Sequence, residues 1–341
     1  MSQTIIVTGA SGFIAKHVMA RLLDQGFKVR ASVRSPQKEP QIRKTIAKMC
    51  GEESLDRLEL VVADLLDDKG WDEVMAGGDA LIHVATYVPA KEPKDPAQVL
   101  APALDGTKRV LKAAMAAGIK RVVMTSSVAA IGYGGAVRHG EAHFGVDDWT
   151  DADKVMGHWT YPAAKVLSEK LAWEMAKKDG LQLTTICPSM VFGPAPDADT
   201  SASLKLVRQI LQGKVPMMPP GGIGVVDVRD VAQIHVAALL DPKTAGKRII
   251  ANSGYLGFLQ LAQILGAKYD MIKVPARTAP KWLLRLLGRF DRTIRQISLD
   301  LDVVRLYDGS SGAKLLGHDY RDANEAALSA AQSLYDAGVV R

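Results

Sequence analysis

The chain contains 341 residues, of which 48% are hydrophobic and 23% are charged. This balance is typical of a globular protein, and it excludes a chain that is disordered, collagen-like or coiled coil as a whole. The 43 Lys and Arg residues exceed the 37 Asp and Glu residues, so the formal net charge is +6. A mild basic excess is compatible with nucleic acid, a membrane surface or a small polyanion as partner.

The cysteines and the N-terminal residues indicate the compartment. Cys50 and Cys187 are too few for a disulfide framework, and they suit a reducing environment. The N-terminus lacks a basic stretch, its apolar run breaks at Gly9, and no apolar run approaches the length of a spanning helix. We therefore expect a cytoplasmic protein.

Short β-branched runs alternate with segments of helical period through the first half of the chain. The predicted strands cover residues 4–7, 28–33, 57–63, 80–85, 121–126 and 183–187. The predicted helices cover residues 15–25, 37–49, 106–117 and 161–178. Such alternation predicts an α/β fold, a doubly wound parallel sheet of the Rossmann type with helices on both faces.

The regular alternation weakens after Pro188, where Pro- and Gly-rich stretches indicate loops. A helix near residues 204–211, a strand at 225–228 and a helix at 230–240 follow, and the remainder is predicted to be mostly helical with one or two short strands. We predict a smaller, interleaved, mainly helical C-terminal lobe beside the Rossmann core. The core is assigned residues 1–189 with 225–251, and the substrate-binding lobe residues 190–224 with 252–341.

The first predicted strand leads directly into a glycine-rich turn, Gly9 to Ala15. Gly9 permits the tight turn, Gly12 lets the backbone approach a pyrophosphate, and the small Ala15 lets the helix pack on the strand. The N-terminus of the helix offers backbone N–H groups to phosphates. An ordinary turn is the alternative interpretation. The predicted contacts are Gly9, Ser11, Gly12, Phe13 and Ile14.

The end of the second strand indicates which dinucleotide is bound. Proteins that prefer NAD place an acidic residue there, whereas this chain has Arg34, with Lys38 nearby. A guanidinium can bind a 2′-phosphate with two hydrogen bonds, so we predict NADP(H) as cofactor. The alternative is a solvated basic face. Asp64, after the third strand, either faces the adenine or caps a turn.

Tyr161 and Lys165 are four residues apart in a helical segment, so they share a face. Ser126 and Ser127 end the fifth strand, at the carboxyl edge where such sheets bind ligands. A phenol beside an ammonium is expected to have a lowered pKa and to exchange a proton readily. A serine hydroxyl at this edge can stabilise negative charge on a carbonyl oxygen.

These motifs together resemble the extended short-chain dehydrogenase/reductase superfamily over nearly the whole chain. Within it the chain is similar to the dihydroflavonol-reductase and aldehyde-reductase group. The stretches that carry this second resemblance are His83–Thr86, Pro102–Thr107, Ala172–Glu174, Pro188–Pro194 and Val226–Ala232.

The resemblance implies NADPH-dependent reduction of an aldehyde or ketone to an alcohol. Tyr161 would be the general acid, Lys165 would bind the nicotinamide ribose and tune Tyr161, and Ser127, rather than Ser126, would polarise the carbonyl. Asp64 and Leu65 would line the adenine side. The residues expected on the nicotinamide side are Val84, Ala85, Thr86, Pro188 and Ser189, and those expected at the substrate are Tyr87, Ser127, Tyr133 and Met190.

Other functions remain open at this point. A nucleotide-sugar epimerase or dehydratase would use the same scaffold, although such relatives usually carry Asn where this chain has Ala103. A 3β-hydroxysteroid-dehydrogenase-like enzyme would differ in substrate, and a non-catalytic NADP sensor would normally lack the Tyr–Lys pair.

We expect a small-molecule carbonyl substrate, no metal, no nucleic acid, no membrane, and a monomer or homodimer. The basic amphipathic segment 281–290 indicates either membrane contact or, as the favoured alternative, a lobe helix that packs its leucines over the site.

Overall fold

A central sheet of seven parallel strands forms the core of the protein. The computed structural model describes residues 3–87, 92–135, 139–198, 201–269, 274–297 and 301–340. In chain order the strands are β1 Thr4–Thr8, β2 Lys28–Val33, β3 Leu58–Val62, β4 Ala80–His83, β5 Arg121–Thr125, β6 Gly140–Phe144, β7 Gln182–Pro188, β8 Met190–Phe192, β9 Gly222–Asp227, β10 Lys247–Ala251, β11 Gly254–Gly257 and β12 Val303–Tyr307.

Helices connect and cover these strands. In chain order they are α1 Phe13–Asp24, α2 Glu39–Cys50, α3 Trp71–Met75, α4 Ala97–Ala116, α5 Ala152–Met156, α6 Thr160–Asp179, α7 Ala202–Leu211, α8 Val228–Leu240, α9 Phe258–Lys268, α10 Lys281–Leu287, α11 Arg292–Ile297, α12 Ser310–Leu316 and α13 Ala323–Asp336.

The strand order of the main sheet is β10-β7-β5-β4-β1-β2-β3. The chain moves outward from β1 in one direction through β2 and β3, and then in the other through β4, β5, β7 and β10. This reversal beside β1 opens a crevice at the carboxyl ends of the strands, where doubly wound sheets bind ligands. The predicted fold class is confirmed.

Apolar residues cover both faces of the sheet, as the continuous β-branched runs of its strands require. On one face α1 packs against α8, and Val18 and Leu22 of α1 share a core with Val231 of α8. On the other face α4 packs against α6, with Val110 and Ala172 in a second core. These two layers fix the crevice between them.

The lobe is built around two small sheets. One contains β11, β9 and β8, and the other pairs β12 with β6. The predicted domain boundary at residue 225 therefore cuts through β9, and β6 joins the lobe although it lies within 1–189. Strands β6 and β12 lie far apart along the chain, so their pairing leaves no local signature in sequence.

Several elements differ from their predicted bounds. Strand β4 ends at His83 rather than residue 85, because the backbone N–H groups of Val84 and Ala85 both donate to Thr8 Oγ1 at 3.0 Å. Helix α4 begins at Ala97 and contains Pro102, although proline lacks the N–H that continues a helix. Strands β6 and β8 were not predicted. None of the helices in the described ranges is long and apolar enough to cross a membrane.

Candidate active site

A cavity of about 730 Å³ lies at the carboxyl edge of the main sheet. Most of the predicted site residues line it. Those expected at the dinucleotide are Gly9, Ser11, Gly12, Phe13, Ile14, Arg34, Asp64, Leu65, Val84, Ala85, Thr86, Tyr161 and Ser189, and those expected at the substrate are Tyr87, Ser127, Tyr133 and Met190.

Three predicted residues do not line the cavity. Lys38 is exposed in the short turn that precedes α2, and Pro188 is buried at the end of β7. Lys165 is only 5% exposed, because this face of α6 packs against the end of β5. Sequence spacing places a side chain on a helix face, but it does not show whether that face borders a cavity.

The glycine-rich turn fits a pyrophosphate. Gly9 has φ of +77°, and a Cβ atom at this position would lie 3.1 Å from Ala85 Cα. A Cβ atom on Gly12 would lie 3.1 Å from the Gly9 carbonyl oxygen. Within the described chain no side chain caps α1 at Gly12, so its first-turn N–H groups are available to an anion.

The far end of the cavity carries the residues expected at the adenosine. Arg34 is exposed directly after β2 and lines the cavity. Asp64 lines it as well, and its Oδ1 accepts a hydrogen bond from the Leu66 N–H at 3.0 Å. The two interpretations of Asp64 are therefore compatible, since one carboxylate oxygen caps a turn while the residue borders the cavity.

Ser127 and Tyr161 meet on the wall of the cavity. Ser127 follows β5 and begins a short helical turn, where its Oγ accepts a hydrogen bond from the Ala129 N–H at 3.1 Å. Burial raises the pKa of the Tyr161 phenol, and a hydrogen bond with the Ser127 side chain opposes this effect. The expected lowering of the Tyr161 pKa is therefore not observed, because burial outweighs the stabilising contacts.

Lys165 lies behind Tyr161 on the next turn of α6. Its Nζ is 5.9 Å from the centre of the Tyr161 ring and 3.5 Å from the Thr125 carbonyl oxygen. Burial lowers the pKa of Lys165 to about 8, and the negative charge of Glu169 acts in the opposite direction. A lysine that is partly neutral near pH 8 exerts a weaker field on the phenol than a permanent cation.

Glu169, one turn beyond Lys165, forms a buried ion pair that sequence reasoning missed. Arg248 of β10 donates from Nε to Glu169 Oε1 at 2.8 Å and from Nη2 to Oε2 at 3.2 Å. The Thr185 hydroxyl also donates to Oε1, at 2.7 Å. Glu169 is fully buried, and the Arg248 guanidinium stacks 3.6 Å above the centre of the Trp149 ring.

Of the two serines at the end of β5, only Ser126 contacts this ion pair. The Ser126 hydroxyl donates to Glu169 Oε2 at 2.6 Å and is buried away from the cavity. Ser127 lines the cavity instead. The signal in the sequence was the spacing of four between Lys165 and Glu169, which places a carboxylate on the same helix face. The partner, Arg248, had no signal because it lies 79 residues away.

Aromatic side chains form the substrate end of the cavity. Trp159 stacks on Tyr161 with ring centres 5.7 Å apart, and it meets Tyr133 edge-on at 5.5 Å. Arg305 of β12 lies 4.3 Å above the Tyr133 ring, and its Nε donates to the Gly132 carbonyl oxygen at 2.7 Å. Arg305 was not predicted, since nothing near it in sequence indicates a site.

Two further polar residues line this end without having been predicted. Glu92 Oε1 accepts from the Thr160 N–H at 2.8 Å, and Glu92 Oε2 accepts from Gln296 Nε2 at 3.0 Å. The bond with Thr160 fixes the beginning of α6, which carries Tyr161, and the bond with Gln296 links Glu92 to α11.

Among the described residues, no group of three His, Cys, Asp or Glu side chains could hold a metal ion.

Comparisons with known proteins agree with this geometry. The model of the NAD dependent epimerase/dehydratase family matches residues 5–257. Cinnamoyl-CoA reductase CAD2 of Medicago truncatula is 31% identical over 283 residues, which cover 82% of this chain and 85% of the relative. A putative anthocyanidin reductase of Ginkgo biloba is 32% identical over 288 residues, which cover 80% of this chain and 82% of the relative.

Solved structures give the same result. Yeast methylglyoxal/isovaleraldehyde reductase Gre2 complexed with NADPH has a TM-score of 0.80 at 25% identity, with 99% of this chain and 100% of that chain covered. Gre2 of Candida albicans in complex with NADPH has a TM-score of 0.79 at 27% identity, with 98% and 99% covered. The chain belongs to the NAD dependent epimerase/dehydratase family, within the extended short-chain dehydrogenase/reductase superfamily of oxidoreductases, as its motifs predicted.

Proposed function

We propose that the protein reduces an aldehyde or ketone to an alcohol with NADPH. The observation that carries this proposal is the continuity of the cavity, which joins the glycine-rich turn and Arg34 to Ser127 and Tyr161. A dinucleotide on the turn and a carbonyl at the tyrosine would share this space. The reductases among the relatives support the same reaction class.

Each side chain at the junction has a distinct role in this proposal. NADPH, when bound, supplies the hydride for the carbonyl carbon. Tyr161 donates its phenolic proton to the carbonyl oxygen, and its raised pKa keeps that proton in place at neutral pH. Ser127 donates a hydrogen bond to the same oxygen and favours the developing negative charge. Lys165, which lies outside the cavity lining, acts on the Tyr161 phenol from behind, with its Nζ 5.9 Å from the centre of that ring.

The preference for NADPH follows from charge at the adenosine end. Arg34 stands where an acidic residue would hold a 2′-hydroxyl, and a guanidinium matches a 2′-phosphate in charge and shape. Two relatives of known structure were solved with NADPH. The rings of Tyr133, Trp159 and Tyr161 favour a carbonyl substrate with an apolar or aromatic body.

Turnover by the Tyr161→Phe variant tests the proposal. We expect the wild type to oxidise NADPH in the presence of aldehydes or ketones, and the variant to be slower by about 100-fold or more, because general acid catalysis contributes that much. NADPH binding, measured by fluorescence titration, should be retained. Tyr133→Phe is the matched control, since it removes a hydroxyl from the same cavity without removing the proton donor.

Two results would contradict the proposal. One is a protein that reduces no carbonyl compound in a broad panel of aliphatic and aromatic aldehydes, ketones and α-keto compounds. The other is a Tyr161→Phe variant that turns over at the rate of the Tyr133→Phe control.

A further inference from the structure

The segment from residue 277 to residue 297, here called the basic hairpin, carries most of the net charge of the protein. It contains six cations and one acid, a net charge of +5, whereas the whole chain has +6. The remainder of the chain is therefore nearly neutral. The charged residues of the hairpin are Arg277, Lys281, Arg285, Arg289, Asp291, Arg292 and Arg295.

The same hairpin exposes large apolar side chains. Trp282 is 67% exposed and Phe290 is 84% exposed, and Leu286 and Leu287 are exposed as well. Eight large hydrophobic residues are exposed in the described part of the chain, and four of them lie between Trp282 and Phe290. The favoured sequence interpretation, a lobe helix that packs its leucines over the site, is therefore wrong for Leu286 and Leu287.

Contacts at its base hold the hairpin in this orientation. Thr278 bridges to Met218, and the Ala279 N–H donates to the Met218 carbonyl oxygen at 2.8 Å. Lys281 Nζ lies 2.7 Å from Asp302, which also pairs with Arg285. With Asp302 and Glu92, the partner of Gln296, both counted, the surface keeps a net charge of +3.

Contacts at its other end join the hairpin to the cavity. Arg292 donates to the Pro93 carbonyl oxygen, and Gln296 of α11 lines the cavity while it donates to Glu92. Through Gln296 of α11, the hairpin therefore adjoins the substrate end of the cavity.

We propose that the basic hairpin docks the protein on the surface of an anionic lipid bilayer. Trp, Phe and Leu side chains beside several Arg and Lys residues are the combination that binds at the interface between headgroups and acyl chains. The cations attract anionic headgroups, and the apolar side chains then leave water.

Other occupants fit this surface less well. A second copy docked hairpin to hairpin would bring two surfaces of like charge together, which is unfavourable. A nucleic-acid duplex would match the charge, but its phosphate backbone would leave Trp282 and Phe290 without an apolar environment. The hairpin thus acts as a peripheral anchor, and it brings the substrate end of the cavity close to the bilayer.

Sedimentation with lipid vesicles tests this proposal. We expect the full-length protein to bind vesicles that contain phosphatidylglycerol and to bind pure phosphatidylcholine vesicles far more weakly. Binding should weaken as salt is raised, because headgroup attraction is screened. The double variant Trp282→Ser/Phe290→Ser should lose at least about 10-fold in affinity, since two interfacial aromatic side chains are removed. Arg289→Glu should lose about 10-fold or more, since each cation near the surface contributes to binding.

Matched controls lie on other surfaces. Leu240→Ser removes an exposed apolar side chain, and Lys177→Glu reverses an exposed charge at the end of α6. Both should bind vesicles as the wild type does. The thermal midpoint and the reductase activity of the hairpin variants should also remain unchanged, because the altered side chains are exposed and lie outside the cavity lining.

Three outcomes would overturn the proposal. The first is equal sedimentation with neutral and anionic vesicles, and the second is hairpin variants that bind as tightly as the two controls. The third is a wild type that ignores vesicles but forms dimers, or binds nucleic acid, in a manner that the hairpin variants abolish.

Discussion

The two halves of the cavity are built in different ways. The dinucleotide half is assembled from short stretches that follow β1, β2, β3 and β4, neighbours in the sheet, such as the turn at Gly9 and the residue Arg34. The substrate half takes single residues from distant elements, such as Glu92, Tyr133 and Arg305. The first half is thus fixed by the sheet, and the second by how the lobe packs on it.

This difference predicts which substitutions affect all substrates equally and which affect some substrates more than others. A substitution in the dinucleotide half should alter cofactor binding for every substrate, because the sheet holds that half independently of the lobe. A substitution in the substrate half should alter substrates unequally and leave the cofactor unaffected. A substitution beneath the junction, at Glu169, should change the pH dependence of the reaction. The three predictions below rest on the proposed reductase function.

The largest effect is expected for Arg34→Asp in the dinucleotide half. We expect the KM for NADPH to rise by about 100-fold, because a charge-assisted hydrogen bond is lost and a carboxylate repels the 2′-phosphate. The KM for NADH should fall or stay constant. Steady-state kinetics with both cofactors and several carbonyl substrates measures this effect.

Arg43→Asp is the control for Arg34→Asp. Arg43 is also a cation near this end, but it pairs with Glu39 at 2.8 Å. An equal loss of NADPH preference in both variants would show that the general basic field, rather than Arg34, selects the cofactor.

A shift in the pH profile is expected for Glu169→Gln. Glu169 opposes the lowering of the Lys165 pKa by burial, so removing its charge should move that pKa further below about 8. The alkaline decline in kcat/KM, where Lys165 loses its proton, should then begin about one pH unit lower. The free energy of unfolding should also decrease by about 3 kcal/mol, because Arg248 is left buried without its partner.

Glu174→Gln provides the matched control on the same helix, since Glu174 is exposed. Its pH profile should superpose on that of the wild type. An unfolding change in Glu169→Gln without any shift of the alkaline limb would reduce the ion pair to a structural role.

The smallest effect is expected for Arg305→Met in the substrate half. The guanidinium holds the Tyr133 ring from above, so its loss should loosen that wall and raise the KM of aromatic carbonyl substrates by about fivefold, the magnitude of a cation–π contact. The KM for NADPH should not change. Arg305→Lys keeps the charge without the planar group, so its KM for aromatic substrates should lie between those of the wild type and Arg305→Met. If Arg305→Met raised the KM for NADPH as much as that for the substrate, the two halves would not be independent.

The sequence predicted those parts of the molecule whose determinants are local. The turn at Gly9, the cation after β2 and the spacing of Tyr161 and Lys165 are each read within a few residues. The seven strands of the main sheet came from periodicity in the same way, except β10, which was predicted only as part of the core range. Strand β6 was missed because its partner β12 lies far along the chain, and β8 was missed because it has only three residues and follows β7 almost directly.

The hydrophobic periodicity of the sequence did not predict how deeply individual side chains are buried. The Tyr161 pKa was expected to fall beside a lysine, yet burial raises it and also lowers the pKa of Lys165 itself. The favoured interpretation placed the leucines of segment 281–290 over the site, yet Leu286 and Leu287 are exposed to solvent in α10. In both cases the sequence showed which side chains are polar or apolar. Whether each side chain is buried or exposed depended on elements that lie elsewhere in the chain.

By itself, the sequence determined the Rossmann architecture, the dinucleotide-binding turn and the order of Ser127, Tyr161 and Lys165 along the chain. The reason is that turns, helix faces and strand patterns depend on neighbouring residues. Only the tertiary structure decided that Ser126 donates to the buried Glu169 while Ser127 lines the cavity, and that Arg305 lines the substrate end. Those outcomes depend on which distant elements pack together. The concentration of positive charge in residues 277–297 was not predicted, and the fold leaves Trp282, Leu286, Leu287 and Phe290 of the same segment exposed.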